Sequence, residues 1–207
     1  MRRLGWVGLS AVLTLLLAGC RKSADTAADA GVADAGPAAL AEQEPNDRPE
    51  QALGVTGDSV VSAGLAADPS RADEDWYRLA PAGPRVAELS VTGVPGSDVT
   101  LGVFDSDRNP LVSVNGAGEG QGEHLPNLYV ERERWVRVTT ARKGTGGAYR
   151  LQITFRAAGD GEEREPNDRA ADAHPLLLGQ AVAAYLGHAG DEDWYRLELQ
   201  SQAAGAE

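Results

Sequence analysis

The chain contains little cysteine, little histidine and few aromatic residues. Its 207 residues include one cysteine, Cys20, so no disulfide can form within the chain. The three histidines, His124, His174 and His188, do not occur in an HExxH motif or in another paired spacing typical of a zinc hydrolase. The GxSxG motif of serine hydrolases and the lysine-containing phosphate-binding loop are also absent. The sequence therefore carries no recognisable catalytic motif.

Positive charge is scarce as well. The chain has 19 Lys and Arg residues against 31 Asp and Glu residues, which gives a net charge of -12 and a pI near 4.7. Nucleic acid is excluded as a partner, because phosphate binding needs a basic surface. An acidic balance is compatible with divalent cations, although a self-repelling, soluble surface is the simpler explanation.

The N-terminal segment has the pattern of an export signal. It reads MRRLGWVGLSAVLTLLLAGC, in which two arginines precede an apolar run that is too short to span a bilayer. The ending LAGC resembles a bacterial lipobox, which implies cleavage before Cys20 and lipid attachment to it. Several acyl chains on one residue would hold the protein firmly to a membrane. Because Arg21 rather than aspartate follows Cys20, we expect a cell-envelope protein at the outer membrane.

Residues 20–41 are expected to form a flexible tether after the signal peptide, residues 1–19. Alanine makes up nine of the 21 residues from Arg21 to Ala41, and none is aromatic, so no face can be buried. Glycine and proline interrupt any helix that the alanines could form. The expected reach of this segment is roughly 25 Å.

Apolar and polar residues alternate along the next hundred residues. In RVAELSVTGV the apolar set is Ala87, Leu89 and Val91, and the stretches DVTLGVFD and AYRLQITF show the same two-residue period. About eight short strands, separated by turn-rich segments, are expected between Gly57 and Arg156. The pattern predicts an all-β fold, an antiparallel jelly-roll-like β-sandwich.

Two motifs occur twice. EPNDR is found at residues 44–48 and 165–169, and DEDWYRL at residues 73–79 and 191–197. This repeat predicts a first β-sandwich at 42–157, a linker at 158–162 and a truncated second copy at 163–207. The second copy has room for only two or three strands and should leave an apolar face uncovered. Either the chain is a fragment of a longer one, which we favour, or these strands pair with something else.

The combination of motifs resembles a known bacterial family. The ExEPND and DxDWYRL motifs, with RWVRVTT at 134–140 and GGAYRLQITF at 146–155, are similar to the pre-peptidase C-terminal (PPC) domain. The resemblance implies a jelly-roll-like β-sandwich of the kind appended to secreted peptidases and found in other exported proteins. Members related to the collagen-binding domains of clostridial collagenases bind calcium through an acidic opening segment and an acidic strand end.

The residue types also favour calcium on chemical grounds. Ca²⁺ takes six to eight oxygen ligands, and like charges in one place are costly without a cation between them. The candidate ligands are Glu42, Glu44, Asn46, Asp47, Asp73 and Asp75 in the first copy, and Glu163, Glu165, Asn167, Asp168, Asp191 and Asp193 in the second. The alternative is that PND is a turn in which Asn46 or Asp47, and Asn167 or Asp168, cap a short helix. DED would then be a solvated loop.

The repeated tryptophan has two interpretations. Along each DWYRL stretch, Trp76 and Arg78, and likewise Trp194 and Arg196, should point away from the core. An outward tryptophan beside an arginine could bind a protein, a peptide or a sugar. Alternatively, it covers a sheet edge or packs under a loop.

Three functions from different classes remain. The first is a non-catalytic, lipid-anchored envelope protein with calcium-stabilised β-sandwich modules that serve binding or structure. The second is the accessory part of a longer exported peptidase or other hydrolase. The third is an enzyme, for which the carboxylates of Asp73 and Asp75 are a candidate glycosidase pair, although alternate positions on a surface strand do not form a cleft. The sequence makes no prediction of oligomeric state.

Overall fold

The computed structural model describes residues 36–198, except residues 69, 143 and 189. All the described residues belong to one compact unit. The predicted signal peptide, Cys20 and most of the predicted tether lie outside the described residues.

Short strands dominate the described part of the chain. The elements are β1 Ala38–Ala41, a 3₁₀ turn Pro49–Gln51, β2 Leu53–Val55, β3 Ser59–Leu65, β4 Asp75–Leu79, β5 Arg85–Val91, β6 Val99–Phe104, β7 Pro110–Val114, β8 Glu123–Val130, β9 Arg134–Thr140, β10 Gly147–Arg156, β11 His174–Leu177 and β12 Tyr195–Glu198. Strands β3 to β10 are the eight that the alternating pattern predicts between Gly57 and Arg156.

Two five-stranded sheets form a β-sandwich, which confirms the predicted fold class. One sheet has the order β1-β3-β10-β5-β8 and the other β2-β4-β9-β6-β7. The sheets are mixed rather than purely antiparallel, because β1 pairs with β3 and β2 pairs with β4 in parallel. The chain passes between the sheets at each step from β1 to β4, so strands two steps apart run in the same direction.

The core lies between the two sheets. Ala87, Leu89 and Val91 are buried and Glu88 and Ser90 are exposed, as the two-residue period predicts. Side chains from both sheets meet in one cluster, whose largest fully buried apolar and aromatic members are Tyr77, Leu79, Leu89, Leu101, Leu125, Leu128, Leu151 and Ile153. Their burial supplies the main driving force for folding.

The last residues of the predicted tether belong to the sandwich. Residues 38–41 form β1 along the edge of β3, and the Ala38 N–H donates to the Asp58 carbonyl at 2.8 Å. Leu40 packs partly against the core. The sequence AALA gives no sign of this strand, because an edge strand can form from small residues through its backbone hydrogen bonds.

The second copy repeats the opening of the first and docks on it. Parallel pairing of β11 with β12 corresponds to that of β2 with β4. The backbone at Glu165 bridges to Leu128 in β8, with the Tyr129 N–H donating to the Glu165 carbonyl at 2.7 Å and the Glu165 N–H donating to the Asn127 carbonyl at 2.9 Å. The second copy therefore covers part of the exposed edge of β8.

An apolar surface of the second copy stays uncovered in the described structure. The exposed large hydrophobic side chains are Leu177, Leu178, Tyr185, Leu186, Trp194, Tyr195 and Leu197. Tyr195 and Leu197 occupy the motif positions of Tyr77 and Leu79, which are fully buried in the first copy. The difference arises because β4 faces a second sheet, whereas within the described residues β12 pairs only with β11.

Candidate metal centres

Two segments that lie about thirty residues apart meet at one end of the sandwich. Glu42 directly follows β1, and its N–H donates to the Ser62 carbonyl at 3.1 Å. Asp75 is the first residue of β4, and the next N–H, that of Trp76, donates to the Asn46 carbonyl at 3.2 Å. As a result, one carboxylate oxygen each from Glu42, Glu44 and Asp75 lie within 4.8 Å of one another. We call these three residues the first acidic triad.

Several buried oxygens around this triad lack a hydrogen-bond donor. Asp75 is 0 % exposed and Asn46 is 1 % exposed. Among the described residues, Asp75 Oδ1, Asn46 Oδ1 and Asp47 Oδ1 receive no hydrogen bond. A buried acceptor without a partner is costly, and a cation is one way to satisfy it.

The metal-free triad is electrostatically unfavourable. The pKa of Asp75 is raised to about 8, mainly by burial and also by the nearby charges of Glu42, Asp73 and Glu44, while the hydrogen bond from Tyr149 opposes the rise. Burial also raises the pKa of Glu44. Without a cation, Asp75 is therefore held mostly as the neutral acid at pH 7.

Two core tyrosines orient the triad. The Tyr77 hydroxyl lies 3.1 Å from Glu42 Oε2, and the Tyr149 hydroxyl donates to Asp75 Oδ2 at 2.6 Å. The two hydroxyls are 2.6 Å apart. The Gly64 N–H donates to Glu42 Oε1 at 2.7 Å. The two-residue period of their strands places both tyrosines on the core side but gives no sign of this role, although a tyrosine follows the acidic motif in both copies, as Tyr77 and Tyr195.

Asp47 and Asp73 are engaged elsewhere. Arg71 Nη2 donates to Asp47 Oδ2 at 2.6 Å, and this bond lowers the pKa of Asp47. Asp73 Oδ2 accepts from the Ala66 N–H at 2.5 Å. The structure thus places Glu42, Glu44 and Asp75 together with Asn46 beside them, and gives the other two predicted ligands different partners.

The helix-cap alternative is wrong for the first copy. The 3₁₀ turn Pro49–Gln51 is preceded by Arg48 in an extended conformation, with no side-chain cap. Asn46 Nδ2 instead donates to Glu42 Oε2 at 3.2 Å. The solvated-loop interpretation of DED also fails at Asp75, which is fully buried in β4.

The second copy reproduces this arrangement. Oxygens of Glu163, Glu165 and Asp193 lie within 4.8 Å of one another, and we call these residues the second acidic triad. Asn167 Nδ2 donates to Glu163 Oε1 at 2.6 Å, and the Tyr195 hydroxyl donates to the same oxygen at 3.1 Å. These contacts repeat those of Asn46 and Tyr77 in the first copy.

Burial is the main cause of the pKa shifts in the second triad as well. It raises the pKa of Glu165 to about 8 and that of Asp193 to about 6. Glu165 Oε1, Asn167 Oδ1 and Asp193 Oδ1 receive no hydrogen bond within the described ranges. Glu163 and Glu165 are each 2 % exposed, because this segment is packed against β8.

Asp168 and Asp191 form a separate group with a residue that sequence reasoning did not select. One ligand atom each of Asp168, His188 and Asp191 lie within 4.8 Å of one another. A lone histidine outside any spacing motif carries no signal in the sequence. In the alignment of the two copies, His188 lies in the shortened loop before the second DEDW.

The tryptophans differ between the copies. Trp76 is 5 % exposed, with its ring centroid 4.9 Å from that of Phe104 and the Arg137 guanidinium 5.6 Å from the ring centroid. Trp76 therefore covers the outer face of its sheet and offers little surface to a ligand, while Arg78 is exposed. Trp194 is 45 % exposed and Arg196 is exposed on β12.

The candidate glycosidase pair does not line an open cleft. Asp75 is fully buried and Asp73 is 8 % exposed. Asp73 accepts a hydrogen bond from the Ala66 N–H, and Asp75 accepts one from the Tyr149 hydroxyl. A sugar ring cannot reach between the two carboxylates in this conformation.

No family model matches the chain, and no curated protein matches it. Among solved structures, the chain is similar to the pre-peptidase C-terminal domain of collagenase from Bacillus anthracis, with 18 % identity and a TM-score of 0.41 over 53 % of this chain and 100 % of that one. It is also similar to PliG, a periplasmic inhibitor of g-type lysozyme, from Aeromonas hydrophila, with 14 % identity and a TM-score of 0.32 over 58 % and 98 % of the two chains. PliG from Salmonella Typhimurium gives 14 % identity and a TM-score of 0.31 over 57 % and 99 %.

Within the described residues of 36–198, no helix has the length and the apolar character to cross a bilayer.

Proposed function

We propose that this chain is a non-catalytic lipoprotein of the bacterial envelope whose PPC-like β-sandwich is held together by calcium. The observation that carries the calcium proposal is the first acidic triad. Three carboxylates from two distant segments converge within 4.8 Å, and the member in β4 is fully buried. Without a cation, such an arrangement opposes folding by charge repulsion and desolvation.

The chemistry of the donor set fits calcium. Carboxylate and amide oxygens are the ligands that hard cations prefer, and Ca²⁺ tolerates irregular geometry. Glu42, Glu44 and Asp75 would supply carboxylates, and Asn46 Oδ1 is a further oxygen without a hydrogen-bond donor among the described residues. The ion would join the segment after β1 to the start of β4, and thereby link the two sheets.

The repeat supports the same proposal independently. The second copy reproduces the triad, the asparagine contact and the tyrosine contact although its loop is shorter and its strands are incomplete. Since Glu165 also pairs with β8, calcium in the second triad would fix the second copy to the first.

The envelope location rests on the sequence. The lipobox-like LAGC and Arg21 support a lipid anchor on Cys20 and the outer membrane. The partners would be the membrane, through this anchor, and a protein or peptide ligand. Arg78, Trp194 and Arg196 are the exposed members of the predicted binding surface, and Trp194 with Arg196 could meet such a ligand together.

Thermal melts of the full chain in detergent test the calcium proposal. We expect calcium to raise the melting temperature relative to chelator, magnesium to do so less, and Glu44→Gln to reduce the calcium effect. Asp107→Asn is the matched control, because this exposed carboxylate lies in a turn outside both triads. Melts that are identical in calcium and in chelator would overturn the proposal.

Lipid attachment is tested separately. We expect cells that produce the chain to incorporate labelled palmitate into it, and Cys20→Ser to abolish the label. A labelled Cys20→Ser chain, or an unlabelled wild-type chain, would contradict the anchor.

A further inference from the structure

The group Asp168–His188–Asp191 differs in chemistry from both acidic triads. It contains an imidazole nitrogen, whereas the triads contain oxygen donors only. His188 Nε2 lies 3.7 Å from Asp191 Oδ1. Two ligands bound at about 2.0–2.2 Å to a tetrahedral zinc ion lie roughly 3.4 Å apart, so the observed separation is close to that of a ligand pair.

Burial provides a second, independent observation. The Asp191 side chain is 2 % exposed and that of His188 is 9 % exposed. Asp191 Oδ2 accepts from the Gly187 N–H, while Asp191 Oδ1 receives no hydrogen bond in the part of the chain that the structure describes. Asp191 Oδ1 is therefore buried beside the His188 imidazole, and it accepts no hydrogen bond from the described residues.

The first copy shows what replaces this group when the loop is longer. There, Asp47 corresponds to Asp168, and the Arg71 guanidinium binds it at 2.6 Å. The loop from Leu186 to Asp193 is three residues shorter than that from Leu65 to Asp75, and His188 is its only basic residue. Where the first copy has Arg71, which is always positively charged, the second copy thus has His188, which can bind a metal ion.

We propose that Asp168, His188 and Asp191 form a binding site for a divalent transition-metal ion such as zinc, separate from the calcium triads. One imidazole and two carboxylates are a ligand set that suits Zn²⁺, whereas Ca²⁺ prefers an all-oxygen set of six to eight ligands. The ion joins His188 and Asp191 to Asp168, which directly follows Asn167. It fastens the second copy at a point where the first copy uses the Arg71–Asp47 ion pair.

Zinc titration of the full chain tests this proposal. All variants are made in a Cys20→Ser background, because a free thiol would bind zinc. The protein is used without an affinity tag for the same reason. With calcium present at saturation, we expect one zinc per chain by calorimetry and by metal analysis after dialysis. His188→Gln should weaken zinc binding by at least tenfold, and Asp168→Asn should do the same.

The two other histidines are matched controls. His124→Gln and His174→Gln should bind zinc as the background chain does, since neither residue belongs to the group. Glu163→Gln removes a member of the second acidic triad and should leave zinc binding in place, so the zinc and calcium proposals fail separately. Absence of zinc binding, equal binding in His188→Gln, or displacement of zinc by millimolar calcium would overturn the proposal.

Footprinting of the unaltered His188 keeps the test independent of variant folding. Zinc should slow the modification of His188 by diethylpyrocarbonate, detected by mass spectrometry, and leave that of the exposed His124 unchanged. Equal rates at His188 with and without zinc would mean that His188 is simply an ion-pair partner of Asp191, and would also overturn the proposal.

Discussion

Asp75→Asn should stabilise the metal-free protein and weaken its response to calcium. The substitution keeps the shape of the side chain and an oxygen that can accept from the Tyr149 hydroxyl, now 2.6 Å from Asp75 Oδ2. It removes one of three carboxylates whose oxygens lie within 4.8 Å of one another. At an effective dielectric constant near 20, two unit charges at that distance would repel by roughly 3.5 kcal/mol, which adds to burial in favouring the protonated form of Asp75.

The size of the effect depends on pH, because the folded state protonates Asp75. Its pKa is raised by burial to about 8, from an ordinary value of 3.8. A raised folded-state pKa means that stability is full below the ordinary pKa and is lost as the pH rises towards 8. At 1.36 kcal/mol per pH unit, the metal-free wild type should lose up to about 4 kcal/mol between pH 4 and pH 7. Asparagine does not titrate and avoids this loss.

The assay is thermal unfolding in chelator at pH 4.5 and pH 7, followed by the same melts in calcium. At pH 4.5 the variant and the wild type should melt within a few degrees of each other, because the loss is then only about 1 kcal/mol. At pH 7 in chelator the variant should melt higher, by up to about 8–16 °C at 2–4 °C per kcal/mol. In saturating calcium this advantage should shrink or reverse, because a 100-fold excess over the dissociation constant stabilises the wild type by about 2.7 kcal/mol. A variant that is less stable at both pH values, with the same calcium response as wild type, would refute the reasoning.

Three further predictions follow from the same structure. Leu89→Ala should lower the free energy of unfolding by about 2–5 kcal/mol in urea titrations, because Leu89 is fully buried. Ser90→Ala, on the exposed face of β5, should change it by less than about 0.5 kcal/mol. Equal losses in the two variants would contradict the placement of Leu89 in the core. Tyr149→Phe should cost about 1–3 kcal/mol of stability and weaken calcium binding, since Asp75 loses its hydrogen bond; unchanged calorimetric affinity would show that this bond does not orient the carboxylate. Calcium affinity should increase from pH 6 to pH 9, because Asp75 and Glu165, each with a pKa of about 8, must lose a proton to bind the ion. Calorimetry in two buffers of different ionisation enthalpy should detect this proton release, and a pH-independent affinity would contradict it.

The strands of the sandwich were predictable because a strand that is buried on one face has apolar side chains at every second position. Leu89 and Val91 in β5 illustrate this. The edge strand β1 was not predictable, because Ala38–Ala41 has no such period and is held by the backbone of β3. The docking of Glu165 on β8 also depends on backbone pairing, which leaves no trace in the pattern of side chains.

The residue types of the candidate sites were predictable from the sequence, but the division of these residues between the sites was not. Repetition of EPND and DEDW singled out two acidic segments in each copy, and the structure brings residues of these segments together. The sequence could not show that Arg71 takes Asp47 away from the triad, since this depends on the path of a turn-rich loop. His188 gave no signal, because its proximity to Asp168 arises only when two segments of the second copy meet.

Direct measurement of calcium stoichiometry tests the central claim, which is that each acidic triad holds one calcium ion. Equilibrium dialysis of the full chain should give two calcium ions per chain, one in Glu42→Gln or Glu163→Gln, and none at these sites in the double variant. No bound calcium in the wild type, or the same stoichiometry in the double variant, would contradict the account.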